Sequence, residues 1–164
     1  MSNDTGAQPG TKVVVERTYR ATLREVWELW TTKAGFESWW GPQDFRAEVH
    51  EIDARVGGVL RYDMIADTPE TIAAMKRMGQ PVKHAVRARF SALEPHTRLV
   101  LTNVIDFLPG VAPYESGIGV DLRAVGDRVH MVVTLDGMHS PEFSKMQEQG
   151  FLSQLTKLDK RFAA

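Results

Sequence analysis

Three polar side chains fall on strand-like segments at positions where the residues in phase with them are apolar. Tyr62 is in phase with Leu60 and Met64, His84 with Val82 and Val86, and Asn103 with Leu101 and Ile105. A polar group that faces a core needs a hydrogen-bond partner in the protein, in water or in a ligand. Any one of the three is explained as a core side chain that is hydrogen-bonded within the protein. Three such side chains that converge on one cavity would form the polar part of a binding site.

His84 is also the candidate acid or base of a cavity enzyme, because histidine titrates near neutral pH. No carboxylate is in phase with it on the neighbouring strand pattern. The chain has no G-x-S-x-G nucleophile elbow, no P-loop and no G-x-G-x-x-G loop. Catalysis is therefore the minor hypothesis, and we assign no catalytic residue.

The metal-binding residue types are sparse. The chain has no cysteine, and its five histidines show no pair at the i, i+4 spacing of a helical metal site. They are His50, His84, His96, His130 and His139. We expect no metal and no cofactor.

Composition excludes several classes of partner. The 164 residues carry a net charge of −1 with the basic residues spread out, which argues against a nucleic-acid partner. No apolar run approaches the roughly 20 residues of a membrane span, and the segment MSNDTGAQPG is not a secretory signal. We expect a cytoplasmic protein with a disordered tail at residues 1–11 and a single domain at 12–164.

All four tryptophans lie within fourteen residues, between Trp27 and Trp40. A strand is predicted at 12–20, then a helix that begins with the capping-box pair Thr22 and Glu25 and carries an apolar stripe. A second short helix is predicted at about 33–39, and Gly41-Pro42 ends it. Core packing is the simplest role for this cluster, with Trp40 at a loop rim as the strongest candidate for ligand contact.

From Phe45 onward the apolar period changes to two, which predicts strands at about 45–50, 60–65, 82–93, 99–107, 117–124 and 129–135. Residues 67–81 are typical of a helical insertion, which would either cover a cavity or pack on its rim. A long helix is predicted from Ser140 to about Phe162. Gly150 in its middle costs about 1 kcal/mol in helix propensity, so close approach to the sheet or room for a ligand should offset it.

Three segments resemble the family named after the activator of Hsp90 ATPase homologue 1, within the Bet v 1-like/START (SRPBCC) superfamily. They are 17–42 with Trp39-Trp40-Gly41-Pro42, the hairpin motif at 53–58, and Gly150-Phe151 followed by Leu155 and Leu158. The resemblance implies an α+β helix-grip fold. A curved antiparallel sheet of about seven strands surrounds a long C-terminal helix, and two short helices follow strand 1.

The resemblance also implies a cavity between sheet and C-terminal helix. The leading hypothesis is non-enzymatic binding of a small apolar or amphipathic molecule there; the alternatives are a chaperone-interaction module, as in a stress response, and a cyclase- or hydrolase-type enzyme using His84. A homodimer is a further hypothesis. The ligand-binding candidates are Trp40, Tyr62, Met64, His84, Val86, Phe90, Asn103, Met146, Gly150, Phe151 and Gln154.

Overall fold

The computed structural model describes residues 12–106 and 108–163. The described elements follow in chain order: β1 (Val13–Tyr19), α1 (Leu23–Thr31), α2 (Lys33–Glu37), β2 (Phe45–Ile52), β3 (Val59–Ala66), α3 (Pro69–Arg77), β4 (Lys83–Glu94), β5 (Arg98–Ile105), β6 (Tyr114–Val125), β7 (Arg128–Leu135) and α4 (Pro141–Arg161). The expected tail at 1–11 lies outside the described residues.

The seven strands form one antiparallel sheet in the order β1-β7-β6-β5-β4-β3-β2. With two short helices after β1 and the long α4 at the end, this is the predicted Bet v 1-like helix-grip fold, and the prediction is confirmed. The strand bounds differ in places from those predicted. β6 begins at Tyr114 rather than at 117, because Tyr114 pairs with Ile105 and extends the ladder between β5 and β6.

Helix α1 begins as its sequence predicts. The Thr22 hydroxyl accepts a hydrogen bond from the Glu25 backbone N–H at 3.1 Å, and the Glu25 carboxylate accepts one from the Thr22 N–H at 2.8 Å. Helix α2 is shorter than predicted and ends at Glu37. Ser38 closes it by donating its hydroxyl hydrogen to the Gly35 carbonyl at 2.6 Å.

The two ends of the sheet differ in the length of their connections. At one end, short turns at 53–58, 95–97 and 126–127 join neighbouring strands. At the other end lie the 41–44 loop, the 67–82 segment that contains α3, residues 106 and 108–113, and the 136–140 segment that leads into α4. We call these the closed end and the open end. Loops at one end of a rigid sheet are a common place for binding residues.

Helix α4 packs unevenly along its length. Its buried residues are Ser144, Phe151, Gln154, Leu155 and Leu158. The C-terminal half therefore closes the core over the sheet, while the half nearer the open end has only Ser144 buried. This gradient positions the candidate site.

Candidate ligand-binding cleft

The open end of the concave face holds apolar side chains that are not fully covered. Met64 on β3 and Val86 on β4 pack against the core yet remain partly exposed. On α4, Met146 is 56% exposed, but it lies about 140° around the helix from buried Phe151 and so is near the solvent side, which the sequence did not predict. The partly exposed Met64 and Val86 mark a candidate cleft between the open end of the concave face and the N-terminal half of α4. Methionine suits such a wall because its thioether chain adapts to irregular shapes.

Gly150 lies at the boundary between the packed and open halves of α4. A Cβ atom added there would meet only the Pro42 Cγ, at 3.8 Å, which is ordinary van der Waals contact. Close approach to the sheet, one of the two explanations that the sequence offered, therefore does not explain this glycine. The space beside Gly150 favours the alternative, which is room at the cleft.

The floor of the cleft is built around Trp40. Its indole Nε1 donates a hydrogen bond to the Tyr62 hydroxyl at 2.9 Å, and its ring centroid lies 6.3 Å from that of Phe151. The next residue, Gly41, donates its N–H to Gln154 Oε1 at 3.0 Å. Burial raises the pKa of Tyr62 well above its usual value, so this hydroxyl keeps its proton at neutral pH. Trp40, Tyr62, Phe151 and Gln154 thus lie together.

The loop that carries Trp40 is fastened to α4 by further hydrogen bonds. Lys157 Nζ donates to the carbonyls of Gly41 at 2.8 Å and Phe45 at 3.1 Å. Gln43 donates its backbone N–H to the Ser153 hydroxyl at 2.9 Å. Burial lowers the pKa of Lys157, although the charges of Asp67 and Asp44 oppose that shift. These bonds hold the floor in place relative to the helix.

His84 and Asn103 lie on the concave face of β4 and β5 and are partly buried. His84 is directly across from Met64, and Asn103 is directly across from Ser116. Burial lowers the pKa of His84, and the charge of Asp63 partly opposes this effect. Asp63 is on the convex face, opposite to His84, and its carboxylate lies 2.8 Å from His50 Nε2, so the sheet supplies no carboxylate in phase with His84 on its neighbouring strand β3.

Phe90 is the candidate that does not reach the cleft. It has no exposed surface, and it pairs with Leu101 toward the closed end of β4. Alternation along β4 placed it on the concave face, but alternation does not show how far along the strand the cleft extends. Phe90 belongs to the filled core.

Sequence reasoning missed Ser116 on β6. It is 1% exposed, and its Oγ has no hydrogen-bond partner among the described residues. Ser116 is in phase with Ile118 and Val120, both buried, so the same alternation that identified Asn103 would have found it.

A second missed feature lies on the rim of the open end. The Tyr114 hydroxyl lies 2.9 Å from His139 Nδ1 and accepts the His139 backbone N–H at 3.2 Å. These residues line a groove of about 680 Å³ together with residues of the 110–112 and 137–138 segments. This groove lies on the rim, and none of the predicted ligand-binding residues lines it.

On the convex face, Glu48, His50 and Asp63 place three potential ligand atoms within 4.8 Å of one another. Glu48 is directly across from Asp63 in the ladder between β2 and β3. Histidines that are scattered in sequence can thus meet carboxylates across strands. The His50–Asp63 contact and the exposure of Glu48 describe a surface polar cluster, and we assign no metal to it.

With the site's geometry established, comparison with known proteins gives the family. The family model described as Activator of Hsp90 ATPase homolog 1-like protein matches residues 20–163. The chain belongs to this family. The match includes all of the cleft residues described above.

Solved structures agree on the fold. A Chromobacterium violaceum protein is 21% identical with a TM-score of 0.75, and the match covers 94% of this chain and 98% of that one. The AHSA1 protein of Silicibacter pomeroyi is 16% identical with a TM-score of 0.73, covering 93% and 98%. An AHSA1-like protein from Aeromonas hydrophila is 18% identical with a TM-score of 0.64, covering 92% and 94%. At these identities the likeness shows the fold alone.

No curated protein matches the chain. Among the helices of residues 12–106 and 108–163, none is long and apolar enough to span a membrane.

Proposed function

We propose that this member of the Activator of Hsp90 ATPase homolog 1-like family is a cytoplasmic protein that binds a small amphipathic molecule without transforming it. The ligand lies in the cleft at the open end, between the concave face of the sheet and the N-terminal half of α4. Met64, Val86 and Gly150 contact its apolar part. His84 and Asn103 provide polar contacts on the sheet side.

The change in packing along α4 is the observation that carries this proposal. On the side of α4 that faces the sheet, Leu155 and Leu158 have no exposed surface, whereas Gln147 and Glu148 are only partly buried. A Cβ atom added at Gly150, between these two stretches, would meet only Pro42 Cγ, at 3.8 Å. Met64 and Val86 at the same end of the concave face also remain partly exposed, and a ligand bound there would complete their burial.

The test is binding of the neutral fluorescent probe N-phenyl-1-naphthylamine, whose emission rises in an apolar site. Gly150→Leu is the blocking variant, because the added side chain enters the space beside Pro42. Gln149→Leu is the matched control, since it places the same side chain at an exposed position of the same helix. We expect saturable binding to the wild type and to Gln149→Leu, and at least tenfold weaker binding to Gly150→Leu.

Probe binding that is absent from the wild type, or equal in both variants, contradicts the cleft. Native mass spectrometry of the purified wild-type protein is the complementary measurement, since a ligand retained from the cell appears as a defined added mass. Thermal unfolding of each variant confirms that a loss of binding does not reflect a loss of fold.

A chaperone-interaction module is the second proposed function, and the family match over residues 20–163 supports it. The discriminating measurement is the ATPase rate of an Hsp90-type chaperone with and without this protein. Stimulation that persists in Gly150→Leu favours the module, because that change affects only the cleft. An enzyme using His84 would instead require a turnover that His84→Ala abolishes while probe binding remains.

A further inference from the structure

The polar groups at the floor of the cleft are predominantly hydrogen-bond donors. Gln154 Oε1 accepts the Gly41 N–H, which fixes the orientation of the side-chain amide and leaves Nε2 as the free end. Gln154 is 4% exposed, and its Nε2 has no hydrogen-bond partner among the described residues. Gln154 lies one helical turn after Gly150, so it is on the packed side of the boundary where the cleft begins.

Two further donors lie next to it. The Tyr62 hydroxyl accepts from Trp40 Nε1, and its own hydrogen has no acceptor among the described residues. Trp30 has no exposed surface, and its Nε1 has no hydrogen-bond partner among the described residues. The ring centroid of Trp30 lies 5.5 Å from that of Trp40. All three donors therefore neighbour Trp40 or the residue after it. Buried donors without acceptors are rare in native proteins because each one carries a desolvation cost.

From these donors we infer that the ligand presents an uncharged hydrogen-bond acceptor, such as a ketone, ester or amide carbonyl, to Gln154 Nε2 and the Tyr62 hydroxyl. This inference rests on the proposed function, since it specifies the chemistry of the molecule in the same cleft. The apolar part of the ligand then extends from the carbonyl toward the open end, past Met64 and Val86.

The charges around the floor favour a neutral acceptor over a carboxylate. The nearest cation of α4, Lys157, already donates to the Gly41 and Phe45 carbonyls. The charges of Asp44 and Asp67 also act on it. A carboxylate at the floor would therefore be buried without a free counter-ion, which is strongly unfavourable. A neutral carbonyl accepts the same hydrogen bonds without that cost.

The experiment measures displacement of N-phenyl-1-naphthylamine by three probes with the same chain length: 2-decanone, decanoate and decylamine. We expect 2-decanone to displace the fluorophore at about tenfold lower concentration than either charged probe, since one hydrogen bond to a buried donor accounts for about a factor of ten. The measurement is made on the whole wild-type protein.

Two variants test the residues. Gln154→Glu keeps an oxygen for the Gly41 N–H and replaces the Nε2 donor with a second oxygen, so the preference should move from 2-decanone to decylamine. Because Tyr62→Phe alone would free the Trp40 Nε1–H, the second donor is tested in the double variant Trp40→Phe with Tyr62→Phe, which should bind 2-decanone several-fold more weakly. Gln149→Glu makes the same chemical change as Gln154→Glu at an exposed position, and its preferences should match those of the wild type.

The outcomes separate this inference from the proposed function. If N-phenyl-1-naphthylamine binds but the three probes compete equally, the cleft exists and the inferred acceptor is wrong. The same conclusion follows if a crystal structure with 2-decanone shows only ordered water on Gln154 Nε2. If the fluorophore itself fails to bind, the proposed function fails first. If Gln154→Glu does not fold, the double variant Trp40→Phe with Tyr62→Phe still decides the question.

Discussion

The indole nitrogen of Trp40 donates to the hydroxyl of Tyr62 at 2.9 Å, and this bond joins the loop after α2 to the centre of strand β3. Both residues are almost fully buried. The aromatic rings around them are close, with the Phe36 centroid 4.5 Å from that of Trp40 and 5.3 Å from that of Tyr62. The tryptophan cluster is thus core packing and cleft floor at once, because its inner rings fill space while Trp40 carries the polar contact.

Tyr62→Phe removes the acceptor of the Trp40 N–H and leaves that donor buried. We expect the free energy of unfolding to fall by about 1–3 kcal/mol, which is the cost of an unsatisfied buried polar group. Urea unfolding followed by tryptophan fluorescence measures it. A double-mutant cycle with Trp40→Phe is the control, because both changes act through one bond and their effects should not add. Additive effects would show that the bond contributes nothing.

The sequence predicted the fold well because the fold depends on local patterns. The capping box of Thr22 and Glu25 and the alternation that buries Leu60 and Tyr62 are each visible within ten residues. The site was harder to predict, because it depends on how far along each strand the core is filled. Phe90 and Val86 are on the same face of one strand, yet only Val86 remains partly exposed.

Contacts between segments that are distant along the chain also could not be predicted from the sequence. Nothing in the local pattern shows that Gln154 meets Gly41, or that Lys157 meets Phe45, since 113 and 112 residues separate the members of each pair. Ser116 is the opposite case, because its phase with Ile118 was visible and only its lack of a partner required the structure.

Replacement of Gly150 by alanine should stabilise the protein. Alanine is favoured over glycine by about 1 kcal/mol inside a helix, and the new Cβ would meet only Pro42 Cγ at 3.8 Å. The midpoint of urea unfolding should therefore rise. Gly35→Ala is the contrasting control, because a Cβ there would overlap the Glu28 backbone carbonyl, and we expect a loss of about 1–3 kcal/mol from the strain. A Gly150→Ala protein less stable than wild type would show that the space beside Pro42 is not available.

Lys157→Met should loosen the loop that carries Trp40. The change removes two charge-assisted hydrogen bonds to the Gly41 and Phe45 carbonyls, and bonds to charged groups contribute about 1.5–3 kcal/mol each at most. Part of this loss in the free energy of unfolding is offset, because the variant no longer carries a partly buried ammonium group. We expect faster amide hydrogen exchange in residues 41–45, with the exchange of the β5–β6 ladder unchanged. Lys160→Met on the exposed side of the same helix is the control and should leave both unchanged.

His84 should make the protein less stable in mild acid. Burial lowers its pKa in the folded state below the unfolded value of about 6.5. Well above pH 6.5 the imidazole is neutral in both states, so its contribution to stability is constant. As the pH falls through 6.5 toward the folded pKa, the unfolded chain takes up the proton first, and the free energy of unfolding decreases. Urea unfolding between pH 7.5 and 5.0 should therefore show a steeper loss for the wild type than for His84→Gln, which has no titrating ring. If the free energy of unfolding falls equally steeply in both proteins, groups other than His84 cause the acid sensitivity. The matched control is His96→Gln, which makes the same change at an exposed position.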